Sequence, residues 1–308
     1  MSDRARPDAS DPPDALVEWP TFLLMVLCYA GWAVGTTWLS AAFLPAGVVL
    51  TVLMITLHSS LQHEVLHGHP FRSRALSEAA VFPAPGLMVP YMRFRDTHLA
   101  HHRDTRLTDP YDDPESNYLD PGIWPRLAPW QRAVLNFNNA LAGRLLIGAA
   151  VSQVAFMRSD WRAVRQGDRE VLKGWLWHIP GVALVFIWLG WVGQIPLWLY
   201  LPAAYAGMSI LKIRTFLEHR AHERASGRTV VVEDRGPLAL LFLNNNLHVV
   251  HHMHPKVAWY RLPKLFRDNR SRYLERNDSY HYRSYGQIFR RYLLRRKDPV
   301  PHPIWPVR

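Results

Sequence analysis

Charged residues are missing from two long stretches of the chain and are concentrated in the segments between and after them. Residues 21–57 and residues 174–211 contain no Asp, Glu, Lys or Arg. As a single helix the first stretch would be about 55 Å long, whereas the hydrocarbon core of a bilayer is about 30 Å thick. Gly and Pro interrupt both stretches, at residues 40–47 and 190–196. The pattern therefore predicts two helical hairpins that cross a membrane, with spans near residues 21–40, 42–62, 174–191 and 194–212.

Three other segments differ from the predicted spans in composition or length. Residues 1–19 are polar, rich in Asp and Pro, and contain no apolar run of the signal-peptide type, so we expect a flexible tail. Residues 78–92 are apolar but carry three prolines, which favours an interfacial or re-entrant segment. Residues 145–157 are uncharged but too short to span, which favours an amphipathic helix on the membrane surface.

Positive charge lies on one side of the predicted hairpins. The two hairpin turns contain no Lys or Arg, and residues 256–308 hold 14 Lys or Arg against 4 Asp or Glu in a chain of net charge +11. The positive-inside rule then places both termini in the cytoplasm of an integral protein of the inner or plasma membrane. Next to a membrane, the basic end of the chain fits anionic lipid headgroups better than nucleic acid, so no nucleic-acid partner is expected.

Histidines recur at helical spacing in three places. The motifs are HEVLH at residues 63–67, HLAHH at 98–102 and HVVHH at 248–252, in a chain with 16 histidines. Positions i, i+3 and i+4 share one face of a helix, so each motif presents two or three imidazoles to one point. Neutral imidazole is a good ligand for first-row transition metals, and eight such rings are too many for one ion but suit two. The sequence therefore predicts a two-metal site at the cytoplasmic ends of the spans.

A ninth ligand has two candidates, His219 and His222, and we favour His219 because it directly follows Glu218. Cys28 is the single cysteine, which excludes a thiolate site of several sulfurs. Carboxylates close in sequence to the motifs are candidates to orient the ligands. The predicted metal ligands are His63, His67, His98, His101, His102, His219, His248, His251 and His252. The candidate orienting carboxylates are Glu64, Asp96, Asp104 and Glu218.

The three motifs, in this order on a four-span frame, resemble the histidine boxes of the membrane fatty acid desaturase superfamily. HLAHHRDTRLTDPYDDP also resembles the continuation of that family's second box, and the resemblance covers about residues 60–260. It implies an all-α fold in which four transmembrane helices carry a cytoplasmic helical cap with the three boxes. It also implies that nine histidines hold two irons, with His219 as the ninth. We therefore expect a tail at 1–19, an integral membrane domain at 20–265 and a basic cytoplasmic C-terminal tail at 266–308.

The resemblance further implies an O2-dependent di-iron oxidoreductase that attacks unactivated C–H bonds of a lipid or acyl chain. Electrons would come from a separate donor protein of the ferredoxin, rubredoxin or cytochrome type. A fatty acyl desaturase is the favoured activity, and a hydroxylase or ketolase acting on a fatty acid, alkane or carotenoid is the alternative. The H-x-x-H-H spacing of the second box fits desaturases better than alkane hydroxylases, but carotenoid ketolases share it.

Two rival interpretations use fewer of the histidines. HEVLH matches the H-E-x-x-H helix of zinc proteases, but one zinc site would leave most of the other motif histidines idle. Proteases of that kind in the membrane usually carry an Asp in a later span, and residues 174–211 contain none. A metal transporter would place ionisable ligands inside the spans, whereas these lie at the span ends.

Overall fold

The computed structural model describes residues 16–102 and 106–305, and in these ranges the protein is mostly helical. The helices are α1 (Trp19–Thr36), α2 (Trp38–Ala42), α3 (Leu44–Leu66), α4 (Arg74–Ala80), α5 (Tyr91–His101), α6 (Pro129–Asn138), α7 (Leu141–Arg165), α8 (Arg169–Trp191), α9 (Leu197–Thr215), α10 (Pro237–Leu241), α11 (His248–Met253), α12 (Leu262–Asp268), α13 (Arg270–Arg276) and α14 (Tyr285–Tyr292). Short 3₁₀ turns cover Trp124–Arg126 and Ala225–Arg228. Strands β1 (Val231–Val232) and β2 (His281–Tyr282) pair in parallel.

Four helices within the described ranges are long and apolar enough to cross a membrane, judged by length and composition: α1 with α2, α3, α7 and α8. The prediction of an all-α protein with four transmembrane helices is confirmed at this level. One helix differs from the predicted spans. The α7 helix meets these criteria, whereas α9, which contains the span predicted near residues 194–212, does not. Lys212 and Arg214 lie in the last turn of α9 and lower its apolar character. The α7 helix, at 25 residues, is also longer than the surface helix predicted at 145–157.

The turns of the two hairpins meet at one end of the bundle. Backbone N–H groups of Gln194 and Ile195, between α8 and α9, donate to Thr36 O at 2.8 and 3.1 Å. Trp188 Nε1 donates to Thr36 Oγ1 at 3.0 Å. Helices α3 and α9 pack closely where Thr56 Oγ1 donates to Gly207 O at 3.1 Å. At the opposite end of the bundle, α3 and α9 deliver the first histidine motif and His219.

Both ends of α7 contact segments on the histidine side of the bundle. Leu141, at its start, packs in one core cluster with Ile213 and Phe216 at the end of α9. Near its other end, Asp160 accepts a hydrogen bond from Trp175 Nε1, two turns into α8. The α9 helix, by contrast, runs the length of the bundle from the shared turns to His219.

The proline-rich segment between α4 and α5 lies against α8 and α9. The N–H of Ala84 donates to Gly181 O at 3.2 Å, inside α8. Tyr200 OH donates to Pro85 O at 2.8 Å, and the His178 ring lies 2.8 Å from Leu87 O. Residues 82–88 are therefore anchored on the helix bundle.

The polar ends of the chain are folded onto the bundle in their described parts. Glu18, in the predicted N-terminal tail, is buried and accepts from Thr21 Oγ1 at 3.0 Å and Tyr260 OH at 2.9 Å. Residues 1–15 of that tail lie outside the described residues. The basic C-terminal segment forms α13, β2 and α14, with Ile288 buried. His302, in the segment predicted to be a basic C-terminal tail, is also buried because it packs edge-on against Tyr118.

A buried ion pair joins α5, α7 and α8, and we expect its loss to destabilise the protein. Arg93 donates to both oxygens of Asp160 at 2.9 and 2.8 Å, and Asp160 is 3% exposed. Removing one partner of a buried pair leaves an uncompensated charge, so Asp160→Asn should cost about 3 kcal/mol. Thermal unfolding of the detergent-solubilised protein should show a lower midpoint. Glu170→Gln is the control, because Glu170 is exposed and its pair with Lys173 at 3.7 Å contributes little. Equal midpoints for the two variants would contradict the structural role of the pair.

Candidate metal centre

The first histidine pair stands at the end of α3. His63 and His67 are one turn apart, so their rings share a face, and the ring centroids are 4.9 Å apart. Gly68 follows with φ +105°, a left-handed conformation that glycine adopts without steric cost and that ends the helix. His63 is buried at 2% exposure. The end of α3 thus delivers two rings to the interior of the protein rather than to its surface.

The second motif occupies the last turn of α5 and the residue after it. His98 and His102 are at i and i+4, and their Nε2 atoms are 2.9 Å apart. His101, at i+3, is turned toward a different neighbour, because its Nε2 lies 2.8 Å from Nε2 of His219. The rings of this one motif therefore point to two different groups of histidines.

The third motif forms the short helix α11, which is held by the asparagines before it. Leu243 and Asn244 adopt left-handed backbone conformations with φ of 51° and 54°. The Asn246 amide donates to Val232 O at 2.6 Å, and the Asn244 amide donates to Trp259 O at 3.1 Å. These bonds fix a helix too short to be stable alone. His248 and His252 again face one point at 3.1 Å between Nε2 atoms, and His251 faces another.

His219 follows α9 on a loop and is placed by backbone pairing with Thr229. Its ring lies 2.8 Å from His101 Nε2 and 3.1 Å from His248 Nε2, measured from its own Nε2. The competing residue, His222, lies outside this arrangement, with its Nε2 3.1 Å from Asp278 Oδ2. The geometry brings His219, and not His222, to the other motif histidines.

All nine predicted ligands come together, in two adjacent groups. Within each group the candidate ligand nitrogens lie within 4.8 Å of one another. The five-histidine cluster contains His63, His67, His98, His102 and His251. The four-histidine cluster contains His101, His219, His248 and His252. Each H-x-x-H-H motif contributes its i and i+4 rings to one cluster and its i+3 ring to the other.

The spacing of the nitrogens fits ligands that share a metal ion. At a metal–nitrogen distance of about 2.1 Å, two ligands at right angles have their nitrogens about 3.0 Å apart. The Nε2 pairs His102–His98 and His251–His102 in the first cluster are separated by 2.9 and 3.1 Å. The pairs His101–His219 and His252–His248 in the second cluster are separated by 2.8 and 3.1 Å. Both clusters therefore have the spacing of a metal ligand set.

Burial and protonation also fit metal ions. The Nε2 atoms of His63 and His67 are buried with no hydrogen-bond partner, a costly state that a metal ion would relieve. Burial and the neighbouring imidazoles hold the pKa well below its usual value in four rings outside the helical spans: His67, His219, His248 and His251. These rings are neutral at neutral pH, and neutral imidazole is the form that binds metals.

Carboxylates and one amide orient three of the rings from outside. Asp113 Oδ1 lies 2.7 Å from His101 Nδ1, and Glu115 Oε1 lies 3.0 Å from His98 Nδ1. Burial disfavours the charged form of His101, but Glu115 and Asp113 outweigh it and raise its pKa to about 9, so this ring, unlike the other four, would have to release a proton at neutral pH to bind a metal. Asn245 Oδ1 lies 3.1 Å from His248 Nδ1. Such partners fix ring orientation and strengthen the ligand.

These orienting residues were not the ones expected from proximity in sequence. Glu218 pairs with Arg214 at 2.8 Å and lies 3.8 Å from His248 Nδ1. Glu64 accepts from Trp259 N–H at 3.1 Å, and Asp96 pairs with Arg95 at 2.9 Å. The fourth candidate, Asp104, lies outside the described residues. The available signal was the run DPYDDPE after the second motif, which contains both Asp113 and Glu115.

Comparisons with known proteins place the chain in a family. The family model for fatty acid desaturases matches residues 36–284, which include all three histidine motifs. A beta-carotene ketolase of Paracoccus sp. (strain PC1) is 28% identical over 249 residues, covering 79% of this chain and 79% of the relative. A second beta-carotene ketolase, of Paracoccus sp. (strain N81106 / MBIC 01143), is 26% identical and covers 74% of this chain and 75% of that relative. The chain belongs to the fatty acid desaturase family.

Proposed function

We propose that this protein is an O2-dependent membrane oxidoreductase that holds two irons and oxidises C–H bonds of a long apolar substrate. The observation that carries the proposal is the pair of adjacent, buried, all-imidazole clusters at one end of an apolar helix bundle. All-nitrogen ligation by neutral imidazole suits iron, and the site offers no thiolate, because Cys28 is the single cysteine.

Each cluster would hold one of the two metal ions. His63, His67, His98, His102 and His251 would hold one iron, and His101, His219, His248 and His252 would hold the other. When bound, the iron pair supplies O2 activation and the power to remove hydrogen from an unactivated carbon. Asp113, Glu115 and Asn245 keep their rings in the orientation that presents Nε2 to the metal. Burial of the rings excludes bulk water from the ligand set.

A carotenoid ring is the substrate we favour, with conversion of a ring methylene to a ketone as the reaction. Support comes from the two ketolase relatives, each of which aligns over about three quarters of its length. Each oxygenation would consume one O2, two electrons and two protons, and two rounds would give the ketone. Desaturation of a fatty acyl chain is the second candidate, because the matching family takes its name from that activity.

A zinc protease accounts for the site less well. In that mechanism the glutamate of the H-E-x-x-H helix would face the reacting water. Here the Glu64 carboxylate is 4% exposed and accepts from the Trp259 backbone N–H. A single zinc would also leave the four-histidine cluster without a role.

Electrons would come from a separate ferredoxin, rubredoxin or cytochrome-type protein that docks on the cytoplasmic face. The basic residues of α12–α14 favour an acidic donor. We propose that α1, α3, α8 and α9 cross the membrane and that the termini and the metal site are cytoplasmic, since the two hairpin turns carry no Lys or Arg.

The substrate proposal is tested in a bacterial host that accumulates β-carotene. Expression of the full chain should yield more polar pigments whose mass corresponds to exchange of CH2 for C=O, detected by liquid chromatography with mass spectrometry. Fatty acids from the same cells should be unchanged in gas chromatography. New double bonds in the fatty acids, with unchanged pigment, would instead support the desaturase. A hydroxylated pigment alone would indicate a hydroxylase.

The choice of ninth ligand is tested by a matched pair of variants. His219→Ala should reduce bound iron from two per chain toward one and lower product formation more than 100-fold, because a direct ligand is lost and even outer partners are worth about 10–100-fold. His222→Ala should retain both irons, since His222 contacts Asp278 and not the clusters. Iron per chain is measured by elemental analysis of the purified protein. Loss of iron in His222→Ala, with retention in His219→Ala, would reverse the assignment.

The orienting carboxylate is tested by Asp113→Asn. We expect about 10–100-fold weaker iron binding, because His101 loses its charged partner at 2.7 Å. Asp112→Asn is the matched control, since the neighbouring carboxylate is exposed. Competition with a chelator of known affinity measures the effect. Identical iron retention in the two variants would show that Asp113 does not support the ligand set.

A further inference from the structure

The last described residues of the chain form a segment that returns from α14 to the metal site. We call residues 293–302 the C-terminal strap. Lys297 N–H donates to Asn139 O, and Leu119 N–H donates to Val300 O, both at 2.9 Å. Val300 is buried at 4% exposure. The strap lies beyond residue 284, where the family match ends, so its role has to be read from this chain's own contacts.

One set of contacts joins the strap to the loop that carries His219. The Lys297 ammonium donates to the backbone oxygen of His219. Asp298 Oδ2 accepts from Tyr118 OH at 2.6 Å, and the same hydroxyl accepts from Ala221 N–H at 2.9 Å. The backbone is therefore held at His219 itself and two residues later.

A second path joins the strap to His101. His302 Nε2 lies 3.3 Å from Thr108 Oγ1, and Thr108 N–H donates to Asp113 Oδ2 at 2.8 Å. The other oxygen of Asp113 lies 2.7 Å from His101 Nδ1. His101 and His219 belong to the same cluster, with their Nε2 atoms 2.8 Å apart. Both paths thus reach the four-histidine cluster. Past Asp113 the second path also continues, through Glu115, whose N–H donates to Asp113 Oδ1 at 2.9 Å, to His98 of the five-histidine cluster, so the first path is the one specific to His219.

His219 is the ligand that most needs such support. The other three rings of its cluster stand on α5 and α11, whereas His219 stands on a loop, which holds a side chain less rigidly. Among the described residues its buried Nδ1 has no hydrogen-bond partner, so none of them orients the ring directly. The position of the ring therefore depends on how firmly the backbone is held.

We propose that the C-terminal strap, through Lys297 and the Asp298–Tyr118 pair, positions His219 and thereby sets the metal affinity of the four-histidine cluster. The inference rests on the proposed function, since it requires a metal in that cluster. Lys297 and Tyr118 are positioning residues, because neither touches the ligand nitrogens. Loss of either side chain should weaken the binding of one of the two metal ions and leave the other ion bound.

The test uses the full chain, purified in detergent, loaded with ferrous iron without oxygen and then challenged with increasing chelator. Lys297→Met should release one iron per chain at about 10–100-fold lower chelator than the wild type and keep the second. Mössbauer spectra should show loss of the signal of one iron site. Lys297→Arg should restore retention, because it keeps the cation. Arg295→Met, which removes an exposed cation of the same strap, should behave as the wild type.

Tyr118→Phe provides a second arm, because it removes the hydroxyl that joins Asp298 to Ala221 and leaves the Lys297 side chain, 3.4 Å from Asp298 Oδ2, in place. It should also release a single iron early. Retention of both irons at wild-type affinity in Lys297→Met and Tyr118→Phe would overturn the positioning role. Parallel loss of both irons would overturn it too, because a general loss of folding does not select one cluster. A wild-type protein that binds no iron would overturn the proposed function, and this inference with it.

Discussion

Packing nine imidazole rings into a small buried volume is the constraint on which the rest of the structure depends. Each ring loses contact with water, and unpartnered polar atoms such as Nε2 of His63 and His67 are costly in a low-dielectric interior. A metal ion can satisfy several of these nitrogens at once, but only if the rings are already held at suitable distances. The surrounding fold must therefore resist collapse of the cluster before a metal binds.

Two levels of structure meet that requirement. The membrane bundle fixes α3 and α9, whose close contact at Thr56 and Gly207 sets the distance between the first motif and the His219 loop. The cap then places α5 and α11 against those ends. Short elements such as α11 are stable there because β1, the asparagine turn and buried Val249 and Val250 hold them. The cap is therefore as necessary to the metal site as the membrane helices.

The sequence by itself determined the helical spacing of the motif histidines and the long apolar runs, because both depend on short-range periodicity. Rings at i, i+3 and i+4 share a helix face whatever the rest of the chain does, and an uncharged run longer than the bilayer must fold back. The neighbour Glu218 and the family resemblance also favoured His219 over His222, and it is the His219 ring that lies with His101, His248 and His252.

Only the tertiary structure decided which rings meet which, and what supports them. The division into five and four histidines, the partnership of His101 with Asp113, and the burial of His302 against Tyr118 all join residues far apart in the chain or separated by irregular loops. The C-terminal segment looked like a solvated basic tail because charge dominates its composition. Its buried residues, such as Val300, and its backbone hydrogen bonds find their partners only in the folded cap, where long-range packing rather than local pattern sets the outcome.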